Sequence, residues 1–242
     1  MIPFVVGAML LQAVRATPVE AVPYGVGETL EYSARMLLVG SAHATMKVVG
    51  IDTERGVPSW HFTLSMNADA LVFHTRLELS SWTGVNDFFS RRFTKVVDEK
   101  DASRNDDFRI FPDSGYYRNR ADTAKSASPH DPIDDVAFMY YLRTAHFALN
   151  KTDSIPRYFR KNLNPVIIEV LGREMVDTGD GGRFYCWILH PIVDEPHGMF
   201  ARDHDARIWI SDDGRRIPVQ IRSKYPVIGN LTLRLSKYTP GH

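Results

Sequence analysis

The sequence predicts a mainly β chain: a single curled antiparallel sheet or barrel-like shell, with one short helix at about residues 132–147 packed on it. Three observations lead there. Apolar and polar residues alternate with period two through run after run, which is the spacing of half-buried strands. Gly, Asp and Asn cluster between those runs, as turns require. Only one segment carries apolar residues at helical spacing.

The runs begin after Pro23. In Glu28–Leu38, residues Leu30, Tyr32, Ala34, Met36 and Leu38 share one face, and Thr29, Glu31, Ser33 and Arg35 share the other. Gly40 follows, and Ala42, Ala44, Met46 and Val48 then alternate with His43, Thr45 and Lys47, so a hairpin is expected at Val39–Gly40. Next, Trp60, Phe62, Leu64 and Met66 oppose Ser59, His61, Thr63 and Ser65. The run Leu71–Leu79 places His74, Arg76 and Glu78 on its polar side and Phe73 on the other. Four such runs in succession imply an antiparallel meander with one dry face.

From Ser81 the alternation blurs. Phe88, Phe89, Phe93, Val96 and Val97 suggest a strand covered on both faces, and the charged stretch Asp98–Asp107 reads as a turn. Phe108–Phe111 and Tyr116–Arg118 are short strand candidates, and residues 121–131 form a polar loop. The helix is expected to start at Asp131 as N-cap with Pro132 in the first helical position, and Asp134 and Asp135 then face the positive end of its dipole. Val136, Ala137, Tyr140, Tyr141, Thr144 and Phe147 supply its apolar stripe. It reads as a plug or lid against the sheet.

The last third returns to strands, in Pro165–Met175, Arg183–Val193, Ala206–Ser211, Arg216–Lys224 and Ile228–Tyr238. Turn residues separate them at Thr178–Gly182, Asp212–Gly214 and Gly229–Asn230. Pro218, inside a strand, marks an edge or a bulge. No repeat or linker divides the body, so residues 22–240 are expected to form one domain. About a dozen strands in one sheet would curl or close.

Composition narrows the function. The 242 residues carry 29 Lys+Arg and 29 Asp+Glu, a formal net charge of zero, which argues against a nucleic-acid binder held by bulk electrostatics. The single cysteine, Cys186, excludes an internal disulfide and any multi-cysteine zinc site. Residues Ile2–Val14 are almost wholly apolar and too short to span a bilayer as a helix, so they read as the apolar region of a signal peptide covering residues 1–16, with an alternative cleavage after Ala21. No Lys or Arg precedes the run; the competing reading is a buried strand or helix. Export places the mature chain in a bacterial periplasm or outside the cell, with no membrane span after removal of the signal.

Several stretches, in order, resemble the exported bacterial family of unknown function numbered 3108. Gly27-Glu-Thr-Leu-Glu-Tyr32 followed by Gly40 is similar to its first strand pair, and Asp134-Asp135 with Tyr140-Tyr-Leu-Arg143 to its helix. Val170-Leu-Gly-Arg-Glu174 with Gly182-Arg-Phe184 resembles its central hairpin, and Ile208–Val219 its most recognisable stretch. Gly229 and the final Leu-rich strand complete the resemblance, over residues 27–238. It implies an exported β-rich fold and carries over no catalytic residue.

No nucleophile elbow, P-loop or dinucleotide fingerprint is present, no catalytic residue is assigned, and no cofactor is expected. His43, His61 and His74 fall on the polar face of three consecutive strands and are the weak metal candidates; a solvated sheet face accounts for them as well. Asp212 and Asp213 belong to turn chemistry, with Arg215 or Arg216 as partners, because adjacent acids on a tight turn point apart and do not make a glycosidase pair. The expectation is a non-enzymatic shell whose interior takes a lipid or other apolar ligand, with Trp60, Phe62, Leu64, Met66, Phe73 and Trp209 as liners or core. The alternatives are an envelope scaffold that accepts a protein partner at a sheet edge, and a metal- or carboxylate-dependent hydrolase.

Overall fold

The computed structural model describes residues 22–36, 40–70, 73–99, 102–195, 200–225 and 229–242. The expected signal segment, the turn at Val39, His197 and the side chain of Phe73 lie outside the described residues.

Among the described residues one antiparallel sheet runs through the whole molecule. Its strands are β1 (Thr29–Met36), β2 (Gly40–Glu54), β3 (Val57–Ala70), β4 (Phe73–Gly84), β5 (Ser90–Glu99), β6 (Ala102–Phe111), β7 (Tyr116–Asn119), β8 (Ser126–Ala127), β9 (Thr152–Ile155), β10 (Val166–Asp177), β11 (Arg183–Ile192), β12 (Arg207–Ser211), β13 (Pro218–Tyr225) and β14 (Gly229–Thr239). Helix α1 (Asp135–Thr144) lies between β8 and β9 in the chain.

The strand order is β8 to β1 followed by β14 to β9. Each strand therefore pairs with its sequence neighbours, and β1 joins β14 to make the meander nearly circular. The ring stays open between β8 and β9, where the chain leaves the sheet to form α1. The curl is tight near the carboxyl end. Gly181, at the tip of the β10–β11 hairpin, lies so close to the Leu235 carbonyl of β14 that an added Cβ would sit 2.1 Å from its oxygen.

The inner face is the predicted dry one. Leu30, Tyr32, Ala42, Ala44, Met46, Val48, Phe62, Leu64 and Met66 are buried, joined by Leu231, Leu233 and Leu235 of β14. A large side chain moved from water to such a core contributes about 1.5–3 kcal/mol.

Two expectations are corrected. Asp98–Asp107 is not a turn: Asp98 and Glu99 end β5, and Ala102–Asp107 begin β6 in ladder with them. Charge is tolerated there because it is paired, across the strands between Arg92 and Asp107 (Nε 2.9 Å from the carboxylate) and along β6 between Arg104 and Asp106 (2.6 Å). The helix is also shorter than expected. Its N-cap is Asp134, not Asp131, and Ala145 is already extended. Pro132 and Ile133 are held straight by Ser90 N–H donating to the Pro132 carbonyl at 2.8 Å and by a bridge between Ile133 and Tyr158. Pro218 is the first residue of β13, opposite Ile210, where the ladder to β12 shifts register.

Candidate functional site

The Asp134 side chain accepts from the N–H groups of Val136 (3.0 Å) and Ala137 (2.9 Å), satisfying two donors that a helix start leaves open. Ser81 Oγ of β4 donates to its other oxygen at 2.6 Å, and its own N–H donates to Ser90 Oγ of β5 at 2.9 Å. This ties the helix start to two strands in a fully buried setting, and burial pushes the Asp134 carboxyl up to about 7.

The other end of α1 is tied by Arg143, whose side chain is entirely buried. Its guanidinium grips both oxygens of Glu28, just before β1. It also donates to the Pro23 carbonyl at 2.8 Å, to Arg215 at 3.0 Å and to Arg216 at 3.1 Å. Burial works against the charge of Arg143, but the Glu28 hydrogen bonds offset this and hold its pKa above the usual value. Tyr32 OH donates to the Pro218 carbonyl at 2.7 Å beside it. Three of the stretches that carry the family resemblance thus meet at one buried node. Between the two ties, Tyr140 stacks on Phe62, with ring centroids 3.9 Å apart.

The helix packs against β3 near its start and β4 near its end, beside the first residue of β5. β3 and β5 run away from the helix, and Trp60, Phe62, Leu64 and Met66 form one inward row along β3. The aromatic half packs under α1: Phe62 on Tyr140, and Tyr24 edge-on to both Trp60 and Phe62. The aliphatic half is left uncovered by the helix, and Leu64 and Met66 line a cavity of about 220 Å³. Its other apolar walls are Leu77 and Leu79 of β4, Val97 of β5, Met139 of α1, and Ile221 of β13, with Val193 and Phe200 completing it.

The polar lining is graded along the pit. At the helix end stand Asp135 and, opposite Leu79 on β5, Lys95. At the far end stand Thr75 and the exposed Glu99, paired across β4 and β5. Tyr158 OH donates to Asp135 Oδ1 at 2.9 Å, and Arg160 Nη1 meets Glu195 Oε2 at 2.5 Å. Burial raises the pKa of Asp135, while Lys95 and the Tyr158 hydrogen bond oppose that rise.

Trp209 does not reach the cavity. Its cross-strand partner is Gln220, whereas Ile221, the residue that does line the cavity, pairs with Ile208; successive residues face opposite sides, so Trp209 is on the far face. There its indole N–H donates to Glu174, and the Arg222 guanidinium lies over its ring at 5.5 Å.

The three histidines are not brought together. His43 pairs with Asn67 on β3, His61 stands six positions away on the same strand, about 20 Å at strand spacing, and His74 pairs with Asp69. His61 stacks on Trp82 at 4.5 Å and bonds Asp52 at 3.0 Å, and His74 bonds Asp69. Among the described residues no group of three or more His, Cys, Asp or Glu is placed to hold a metal ion. Cys186 is buried, and burial pushes its thiol up to about 12, far from a reactive thiolate.

Lys95, Asp135, Tyr158, Arg160 and Glu195 were not among the site residues expected from the sequence. The available signal was parity: in Phe93, Lys95, Val97, Glu99 the charged residues sit in phase with the core residue Phe93.

No curated protein is similar enough to the chain to count as a relative. A solved structure from Brucella abortus, described as a beta-barrel-like protein of domain of unknown function DUF1849, matches with a TM-score of 0.57 at 10% identity, over 92% of this chain and 100% of that one. At that identity the likeness concerns the fold alone, a beta-barrel-like one. The family described as protein of unknown function DUF3108 matches residues 29–236. That match, over most of the chain, shows that the chain belongs to the DUF3108 family.

Proposed function

We propose that the chain is an exported, non-enzymatic β shell of the bacterial periplasm or exterior that holds an apolar or amphipathic ligand of the lipid class. One observation carries the reading: the shell has α1 packed against it and contains, beside the helix, a pit walled by Leu64, Met66, Leu77, Val97, Met139 and Phe200. A volume of about 220 Å³ exceeds the roughly 150 Å³ of an apolar cavity that takes up benzene, and lies below the range for whole drug-sized ligands. It suits one hydrocarbon chain or a compact apolar body. The wall charges support holding over catalysis, since Tyr158 is committed to Asp135 and Arg160 to Glu195. No helix among the described residues is long and apolar enough to cross a membrane.

The test is extraction of the purified mature chain with organic solvent, followed by mass spectrometry, beside titration with the neutral fluorophore N-phenyl-1-naphthylamine. Co-purifying lipid, or saturable fluorophore binding abolished by Val97→Trp, supports the reading; neither overturns it. A second reading, a scaffold that accepts a partner strand, is favoured by the open sheet edges at β8 and β9. Pull-down from envelope extract tests it, with loss of capture in a Ser154→Pro variant on the β9 edge as the supporting result.

A further inference from the structure

The cavity's opposed positive and negative groups, Lys95 with Asp135 and Arg160 with Glu195, stand toward the helix, and this sets how an amphipathic ligand would lie. Asp135 is the first residue of the helix, and Lys95 lies on the inward row of β5 two residues from the buried Phe93; both are half-buried, whereas Glu99 at the other end of the row is exposed. Between that floor and the outer end run Leu77, Val97, Leu64 and Met66. A ligand that entered tail first would bring its hydrocarbon against Asp135 and Lys95 and strand both charges away from water, at a cost.

The floor is also balanced in charge. Lys95 faces Asp135 without reaching it as an ion pair, while Arg160 and Glu195 are already paired. Lys95 brings three donors, and Asp135 has acceptor capacity beyond the bond from Tyr158. A ligand carboxylate or ammonium would leave one uncompensated charge in the pit. A head that both accepts and donates, without a charge of its own, satisfies both sides.

Resting on the ligand-holding reading above, we infer that the cavity takes a single-chain amphiphile head first, with an uncharged hydroxyl or amide head between Lys95 and the Asp135–Tyr158 pair and the chain directed along Leu77 and Val97 to the open end. The specificity thus belongs to Lys95 and Asp135, and the aliphatic walls supply affinity.

The experiment is displacement of N-phenyl-1-naphthylamine from the full mature chain by four ten-carbon probes: 1-decanol, decanamide, decanoate and decylamine. The two uncharged heads are expected to displace the fluorophore at concentrations about tenfold lower than the two charged ones, the equivalent of one to two good hydrogen bonds. In Lys95→Met the handicap of decylamine is expected to shrink to less than about threefold, because the Asp135 carboxylate then stands alone to match an ammonium, while the fluorophore itself binds as before. Asp135→Asn, nearly the same shape, is expected to shrink the handicap of decanoate in the same way, with Lys95 alone, and covers the case in which Lys95→Met fails to fold. In the native chain, a preference for either charged probe or equal displacement by all four overturns the inference, as does a pattern unchanged in both variants. If the fluorophore does not bind at all, the ligand-holding reading fails instead, so the two failures are distinct.

Discussion

Arg143 and Glu28, 115 positions apart, form a two-pronged ion pair with almost no exposed surface, and it locks the end of the only long helix among the described residues to the start of the sheet. Glu28→Gln leaves the guanidinium buried beside a neutral partner. Breaking one side of a buried pair costs about 3–5 kcal/mol. For a chain of this size that lowers Tm by roughly 6–20 °C. Replacing both, as Glu28→Leu with Arg143→Met, is expected to recover part of the loss, because no unpaired charge remains although the Pro23, Arg215 and Arg216 carbonyls lose their donor. Thermal unfolding of the single and the double variant checks this; equal losses in the two would contradict it.

Asp134 makes stability depend on pH in an unusual direction for a carboxylate. Its folded pKa is raised by burial to about 7, from an ordinary value of 3.8, so the folded chain holds a proton that the unfolded chain gives up. The stabilisation is complete below the unfolded value, falls as pH rises between the two, and is gone above about 7. Asp134→Asn removes the titration and keeps a good N-cap side chain. The stability difference between the native chain and this variant, measured by urea unfolding, is therefore expected to favour the native chain more at pH 5 than at pH 8. A difference independent of pH would contradict the account.

The two predicted liners on opposite faces give a matched pair of variants. Met66→Trp fills the pit and is expected to lose fluorophore binding. Trp209→Phe, across the sheet, is expected to leave binding intact while costing about 0.5–1.5 kcal/mol for the lost indole hydrogen bond, since water takes its place on the exposed Glu174. Equal effects on binding would mean that the pit is not the ligand site.

Cys186 is expected to resist thiol reagents in the folded chain and to react fully once the chain is unfolded, because its thiol is buried and its pKa is pushed up to about 12. Rapid labelling of the native chain at pH 8 would contradict the burial of β11.

The legible parts of the fold are those where one face is dry and the other wet. β2, β3 and β14 alternate cleanly because each is covered on one side only. β12 was harder to orient: Ile208, Trp209 and Ile210 are all buried, so apolar character does not separate the faces, and Trp209 passed for a liner. The β5–β6 charges resembled a turn because cross-strand ion pairs, invisible without register, neutralise them. Asp131-Pro132 imitated a helix start, yet the chain around Pro132 is held extended by Ser90, a partner 42 positions earlier. The cavity floor was not legible at all. Lys95, Asp135 and Tyr158 come from three separate stretches, and no local spacing announces their meeting.

The most direct test of the whole account is titration of the mature chain with N-phenyl-1-naphthylamine, native and Val97→Trp side by side. The account predicts saturable one-to-one binding to the native chain and none to the filled variant, with both folded by circular dichroism. Binding that is absent from the native chain, or identical in the two, would contradict it.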